Sequence, residues 1–262
     1  MAKLSISRAW DETRDVLGRD GRLLSTVAIA LLALPSTVQN LVTPTAKAGE
    51  IPPAGPWLVV LLVTVLIGIV GQLAIARLAL GSRTSVGEAI GHGAKRLLPY
   101  FFAMLLWVGP IAVVLFYSAQ HMRPPAASAG MAVLFLAMLV LLIVLAVRLI
   151  VAVAVATAEP LGSIGILQRS WHLTSGSWWR LFLFLLLFLV AVFCVMVAVG
   201  AVIGILAGIV LGPPEPMSVS ALVIALITQL AVAAVTVVFL VMLTRIYLQL
   251  AARTVTVPET AA

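Results

Sequence analysis

The 262 residues are 63% hydrophobic and 10% charged, with a formal net charge of +7. Soluble chains carry about 45–50% apolar and about 25% charged residues, so there is too little polar surface here to cover a water-soluble globule of this mass. The Lys and Arg residues border apolar runs and form no single basic stripe, which argues against nucleic acid as a partner and for charges that set membrane topology.

In chain order, residues 1–22 read as an amphipathic cytoplasmic segment. Asp11, Glu12, Asp15 and Asp20 alternate there with arginines, and Ile6, Trp10 and Leu17 share one helical face. Crossing about 30 Å of hydrocarbon takes about 20 apolar residues. Spans are therefore predicted at 23–42, 57–80, 97–117, 130–157, 181–211 and 219–243, with a short cytoplasmic tail at 244–262. The expected fold is all-α: a polytopic transmembrane bundle of about six spans in one integral membrane domain, with interfacial amphipathic helices. The run at 23–42 is longer than the 7–15 residues of a signal-peptide core, so it is expected to be retained as a span. Pro35 and the pair Gly109-Pro110 predict kinks. Of the Lys and Arg residues, only Lys47 and Arg123 fall on one side of this layout and 14 fall on the other. This predicts a bacterial inner (plasma) membrane protein with both termini cytoplasmic.

The chain also resembles itself. Arg8-Ala9-Trp10-Asp11-Glu12-Thr13 matches Arg169-Ser170-Trp171-His172-Leu173-Thr174, and 85–90 is a weaker version related to 5–10. Spans two, four and six close with Arg77-Leu78, Arg148-Leu149 and Arg245-Ile246. Three weak repeats are expected, each an interfacial helix followed by two spans. Val86, Ile90 and Leu97 share a face of the second such helix; Ile164, Leu167 and Trp171 share a face of the third. Trp beside Arg suits a helix lying at headgroup level. Two roles are open to Arg8, Trp10, Arg169 and Trp171: simple anchoring, or engagement of lipid headgroups or a partner. Arg148 lies inside an apolar run, where a charge is costly and a functional candidate. Its position is shared with Arg77 and Arg245, which favours a common anchoring role over phosphate or lipid binding, for which these three arginines and Glu159 are also candidates. Gly200, Gly204, Gly208 and Gly212 fall on one face of span five and would let another helix approach closely, within the chain or from a second copy. Gln72 and Gln229 are expected to make interhelical hydrogen bonds rather than line a pore.

The stretches 158–162 (Ala-Glu-Pro-Leu-Gly, containing Glu159) and 168–180, from Gln168-Arg169-Ser170-Trp171 to Trp178-Trp179-Arg180, resemble the membrane domain associated with bacterial glycerophosphoryl diester phosphodiesterases and small stand-alone relatives. The six-span layout and Arg8-Ala9-Trp10 fit the same pattern. In fused members of that family, catalysis belongs to a separate soluble barrel. With only residues 244–262 after span six, the resemblance implies a link to glycerophospholipid metabolism or membrane upkeep without a diesterase activity.

The residues offer no enzyme pattern. The acids are dispersed, His92, His121 and His172 are scattered, and there is no nucleophile elbow, phosphate loop or His-Glu-x-x-His helix. No metal or other cofactor is expected, and the single Cys194 allows no intrachain disulfide. The expected function is that of a non-catalytic membrane module engaging lipids, a second copy or another membrane protein. The alternative is a small-solute or lipid transporter, although the spans hold no acid for ion coupling.

Overall fold

The computed structural model of the chain describes residues 4–44, 54–81, 84–121, 129–210 and 218–255. It is all-α. The helices are α1 (Ile6–Ala28), a π-helical turn (Ile29–Ala33), α2 (Leu34–Val42), α3 (Trp57–Leu80), α4 (Val86–His121), α5 (Ala129–Arg148), α6 (Ala152–Ala158), α7 (Ser163–Thr174), α8 (Trp178–Val210) and α9 (Val219–Val255). Among the described residues, six helical stretches are long and apolar enough to cross a membrane, and the protein is a multi-span membrane protein.

The amphipathic N-terminal segment does not form a helix separate from the first span. One helical rod runs from Ile6 to Val42, interrupted only by the π turn. Ser5 caps its start, its hydroxyl accepting the Arg8 N–H at 3.3 Å. Pro35 has no N–H to give, and the wider i→i+5 turn just ahead of it, in which the Leu34 N–H bonds the Ile29 carbonyl, accommodates that gap. Likewise the expected interfacial helix at 86–97 is the first part of α4, which continues through Pro99 and Pro110. Its start is a reciprocal capping box. Ser85 Oγ accepts the Glu88 N–H at 3.2 Å, and Glu88 accepts the Ser85 N–H at 2.9 Å. Only α7 stands apart from its span, separated from α8 by a turn in which Gly176 adopts φ +80°, a left-handed conformation that suits glycine.

α3 is the central helix, packed against the first rod, α4, α6 and α9, and α9 packs in turn on α1, α2 and α8. The buried core is concentrated toward one end. It takes Ala9, Val16 and Leu24 from α1, residues 73–76 from α3, 151–156 from the α6 region, and Val241 and Ile246 from α9. This is the end that carries the span-terminal arginines. α8 lies at the periphery, with only 6% of its most apolar window buried against protein. Its apolar surface needs lipid to cover it.

A candidate headgroup site at the arginine-rich end

The long apolar run at 130–157 is not one continuous helix. α5 ends at Arg148, residues 149–151 turn, and α6 resumes at Ala152. The Arg148 carbonyl, freed by the break, accepts two side-chain hydroxyls from α7: Ser170 at 3.0 Å and Thr174 at 3.1 Å. α7 buries Ile166, Ser170, Leu173 and Thr174 and leaves Ile164 and Trp171 exposed. Of the face expected from Ile164, Leu167 and Trp171, Leu167 packs against the core while Ile164 and Trp171 stay exposed. In α1 the packed stripe is Ala9, Thr13 and Val16, so Trp10, half-exposed, again points away from the core.

Glu159 follows α6 and precedes Pro160, which keeps its backbone extended and ends the helix. Both of its carboxylate oxygens accept the Arg169 Nε–H, at 3.0 and 3.1 Å, and Tyr247 of α9 donates its hydroxyl at 2.9 Å. Two side chains from α4 hold the same segment. His92 Nε2 meets the Thr157 carbonyl at 2.9 Å, and Arg96 donates to the Leu161 carbonyl at 3.4 Å. Glu159 and Arg169 thus meet, but they are occupied in tying α6, α7 and α9 together.

The three span-closing arginines have three different surroundings. Arg245 reaches across from α9 and donates to the Ala79 carbonyl at 2.7 Å, capping the end of α3. Arg77 makes no side-chain hydrogen bond or ion pair among the described residues. Arg148 lies over the Trp171 ring, 4.9 Å from guanidinium carbon to centroid. Its Nε and Nη1 are inaccessible to solvent and have no hydrogen-bond partner among the described residues. Arg8 is largely exposed and paired with Glu12 one turn on at 2.8 Å. Beside α7, Trp178 stacks on Phe182 at 5.2 Å and Trp179 is 73% exposed, an arrangement that suits a headgroup-level anchor.

Gly200, Gly204 and Gly208 lie in α8; Gly212 is outside the described residues. A Cβ added at Gly200 or Gly204 would meet nothing within 4 Å, so no helix among the described residues packs closely on these two glycines.

Sequence reasoning missed Tyr247 and the hydroxyls of Ser170 and Thr174. The latter two stand one helical turn apart beside Trp171, a pairing that signals a shared acceptor once α7 is known to be helical.

The profile of a family described as a domain of unknown function (DUF7847) matches residues 4–250, nearly the whole chain. No curated protein and no solved structure matches it.

Proposed function

The chain belongs to the DUF7847 family, and from that footing we propose that it is a non-catalytic membrane module that engages the anionic headgroup of a membrane phospholipid. The observation that carries this reading is the Arg148 guanidinium, with two nitrogens buried and without acceptors among the described residues. An unpaired buried cation costs several kcal/mol, roughly, and the two non-bridging oxygens of an anionic phosphodiester offer the two-point acceptor that a planar guanidinium fits. Trp171 holds the cation from one side and is itself 43% exposed, which suits a residue at headgroup depth.

Several features support the same reading. Glu88 is committed to its capping box, Glu159 to Arg169 and Tyr247, and His92 to a backbone carbonyl; none of the three is left to act as a general acid or base on a substrate. The resemblance of 158–180 to the phosphodiesterase-associated membrane domain supports a link to glycerophospholipid metabolism. The asymmetry of Lys and Arg supports a bacterial plasma membrane with this end and both termini in the cytoplasm. Transport is the competing reading, and the interrupted fourth span favours it, because broken helices often line substrate paths. Against it, the carbonyl freed at the break is already taken by Ser170 and Thr174.

The test is a titration of the purified protein with phosphatidylglycerol or phosphatidylcholine, read by native mass spectrometry. Arg148→Gln lowers phosphatidylglycerol affinity about tenfold, a loss of about 1.4 kcal/mol, and lowers phosphatidylcholine affinity less, because choline offsets the charge of its phosphate. Arg169→Gln acts on thermal stability more than on affinity. Equal phosphatidylglycerol binding by wild type and Arg148→Gln would contradict the proposal.

A further inference from the structure

Gln72 and Gln229, expected to pair helices, instead line one cavity. It lies between α2, α3, α4 and α9, has a volume of about 360 Å³ and is open on one side. That volume is in the range of small-molecule sites. Gln72 lies eight residues before the end of α3, or ~12 Å from the arginine-rich end. Gln229 lies ten residues into α9, or ~15 Å from the opposite end. With Gln39 three residues from the end of α2 and Thr64 seven residues into α3, the cavity runs from mid-depth toward the end opposite the arginines, within spans where polar side chains are rare and face the protein interior or a ligand.

Its polar lining is neutral: Ser36, Gln39, Thr64, Gln72, Gln229 and Thr236, with aliphatic side chains and Met104 completing the wall. The Thr64 hydroxyl donates to the Pro35 carbonyl at 3.4 Å, and the Thr236 hydroxyl to the Val232 carbonyl at 2.8 Å. These two are satisfied as donors and keep lone pairs to offer. Among the described residues, the side-chain amides of Gln39, Gln72 and Gln229 make no hydrogen bond. They present both N–H donors and carbonyl acceptors to the space. The π turn lies immediately before Pro35 and shifts the register from which Ser36 and Gln39 reach this cavity, and such turns are frequent at functional sites. Val232, which lines the cavity, is exposed on the helix surface, which suits entry sideways from the lipid.

We propose that this cavity binds an uncharged hydroxyl- and ester-bearing group, from a neutral lipid of the diacylglycerol class or from a free polyol. Among the described residues the lining has no Asp, Glu, Lys, Arg or His, so an ionised ligand would be stripped of water with no counter-charge to meet it. A hydroxyl group matches the mixed donors and acceptors of the amides, and the aliphatic wall matches the adjoining hydrocarbon. Gly68 offers the means of a test. It lines the cavity, and a Cβ added there would meet nothing within 4 Å, so a larger side chain fills the cavity without displacing a neighbour at its first atom.

The experiment uses the full chain in phosphatidylcholine nanodiscs with a diazirine-bearing diacylglycerol as the probe, cross-linked peptides being mapped by mass spectrometry. Labelling is expected on α2, α3 or α9 around the cavity. It falls about tenfold in Gly68→Leu and severalfold in the double variant Gln72→Leu/Gln229→Leu, with helicity and monodispersity retained, and it persists in Arg148→Gln. Competition by unlabelled diacylglycerol assigns the site to a neutral lipid; competition by millimolar glycerol alone assigns it to a free polyol. Absence of labelling at these peptides, labelling undiminished in both cavity variants, or equal competition by phosphatidic acid would each overturn the proposal. Because Arg148→Gln leaves this readout unchanged, failure here is distinguishable from failure of the headgroup site.

Discussion

At the scale of single residues, Glu159 shows how chemistry that reads as a binding motif is spent on structure. The sequence marks Glu159 and Arg169 through their motif, but it cannot show that Tyr247, 88 residues further on, completes the group. The two contacts differ in kind, since one is charge-assisted and reaches both carboxylate oxygens and the other is a single phenolic hydrogen bond. Tyr247→Phe removes one bond and is expected to cost about 1 kcal/mol. Arg169→Met leaves a half-buried carboxylate without its cation and is expected to cost more, roughly 1–3 kcal/mol. Thermal unfolding in detergent, followed by circular dichroism, checks the order. Equal losses would mean that the ion pair adds nothing beyond the hydroxyl.

Among the helices, the legible and the hidden separate by cause. Each span is announced by its apolar run, because crossing hydrocarbon demands that composition. The break after Arg148 is not announced, since no Pro or Gly falls between residues 131 and 157. Hydroxyls brought in by α7 make it tolerable, and that is a tertiary cause. The contact between α3 and α4 is hidden in the same way. A Cβ at Gly93 would lie 2.8 Å from the Val70 carbonyl oxygen, whereas one at Gly91 would meet nothing within 4 Å. Gly93→Ala therefore forces the two helices apart and is expected to cost about 1–3 kcal/mol. Gly91→Ala is expected to gain up to about 1 kcal/mol from helix propensity. Melting temperatures of the two variants check this, and a harmless Gly93→Ala would contradict the close approach.

Across the whole molecule, a tightly packed arginine-rich end gives way to a looser half containing the polar cavity and the outward-facing α8. The all-α fold and the number of spans were legible because length and hydropathy determine them. The threefold repeat was a weaker guide: only one of its three interfacial helices, α7, stands apart from its span, and its three arginines have separate surroundings. The orientation proposed from charge is checked by labelling single cysteines in a Cys194→Ala background. In intact cells an impermeant maleimide is expected to reach Ala54→Cys and to spare Ser175→Cys, both exposed sites; the reverse pattern would place the arginine-rich end outside. The central claim, that Arg148 waits for an anionic headgroup, is tested most directly by the lipids that leave the membrane with the protein. After mild detergent extraction, wild type is predicted to carry anionic phospholipid enriched over the bulk membrane, and Arg148→Gln to lose that enrichment. Identical lipid profiles for the two proteins would contradict it.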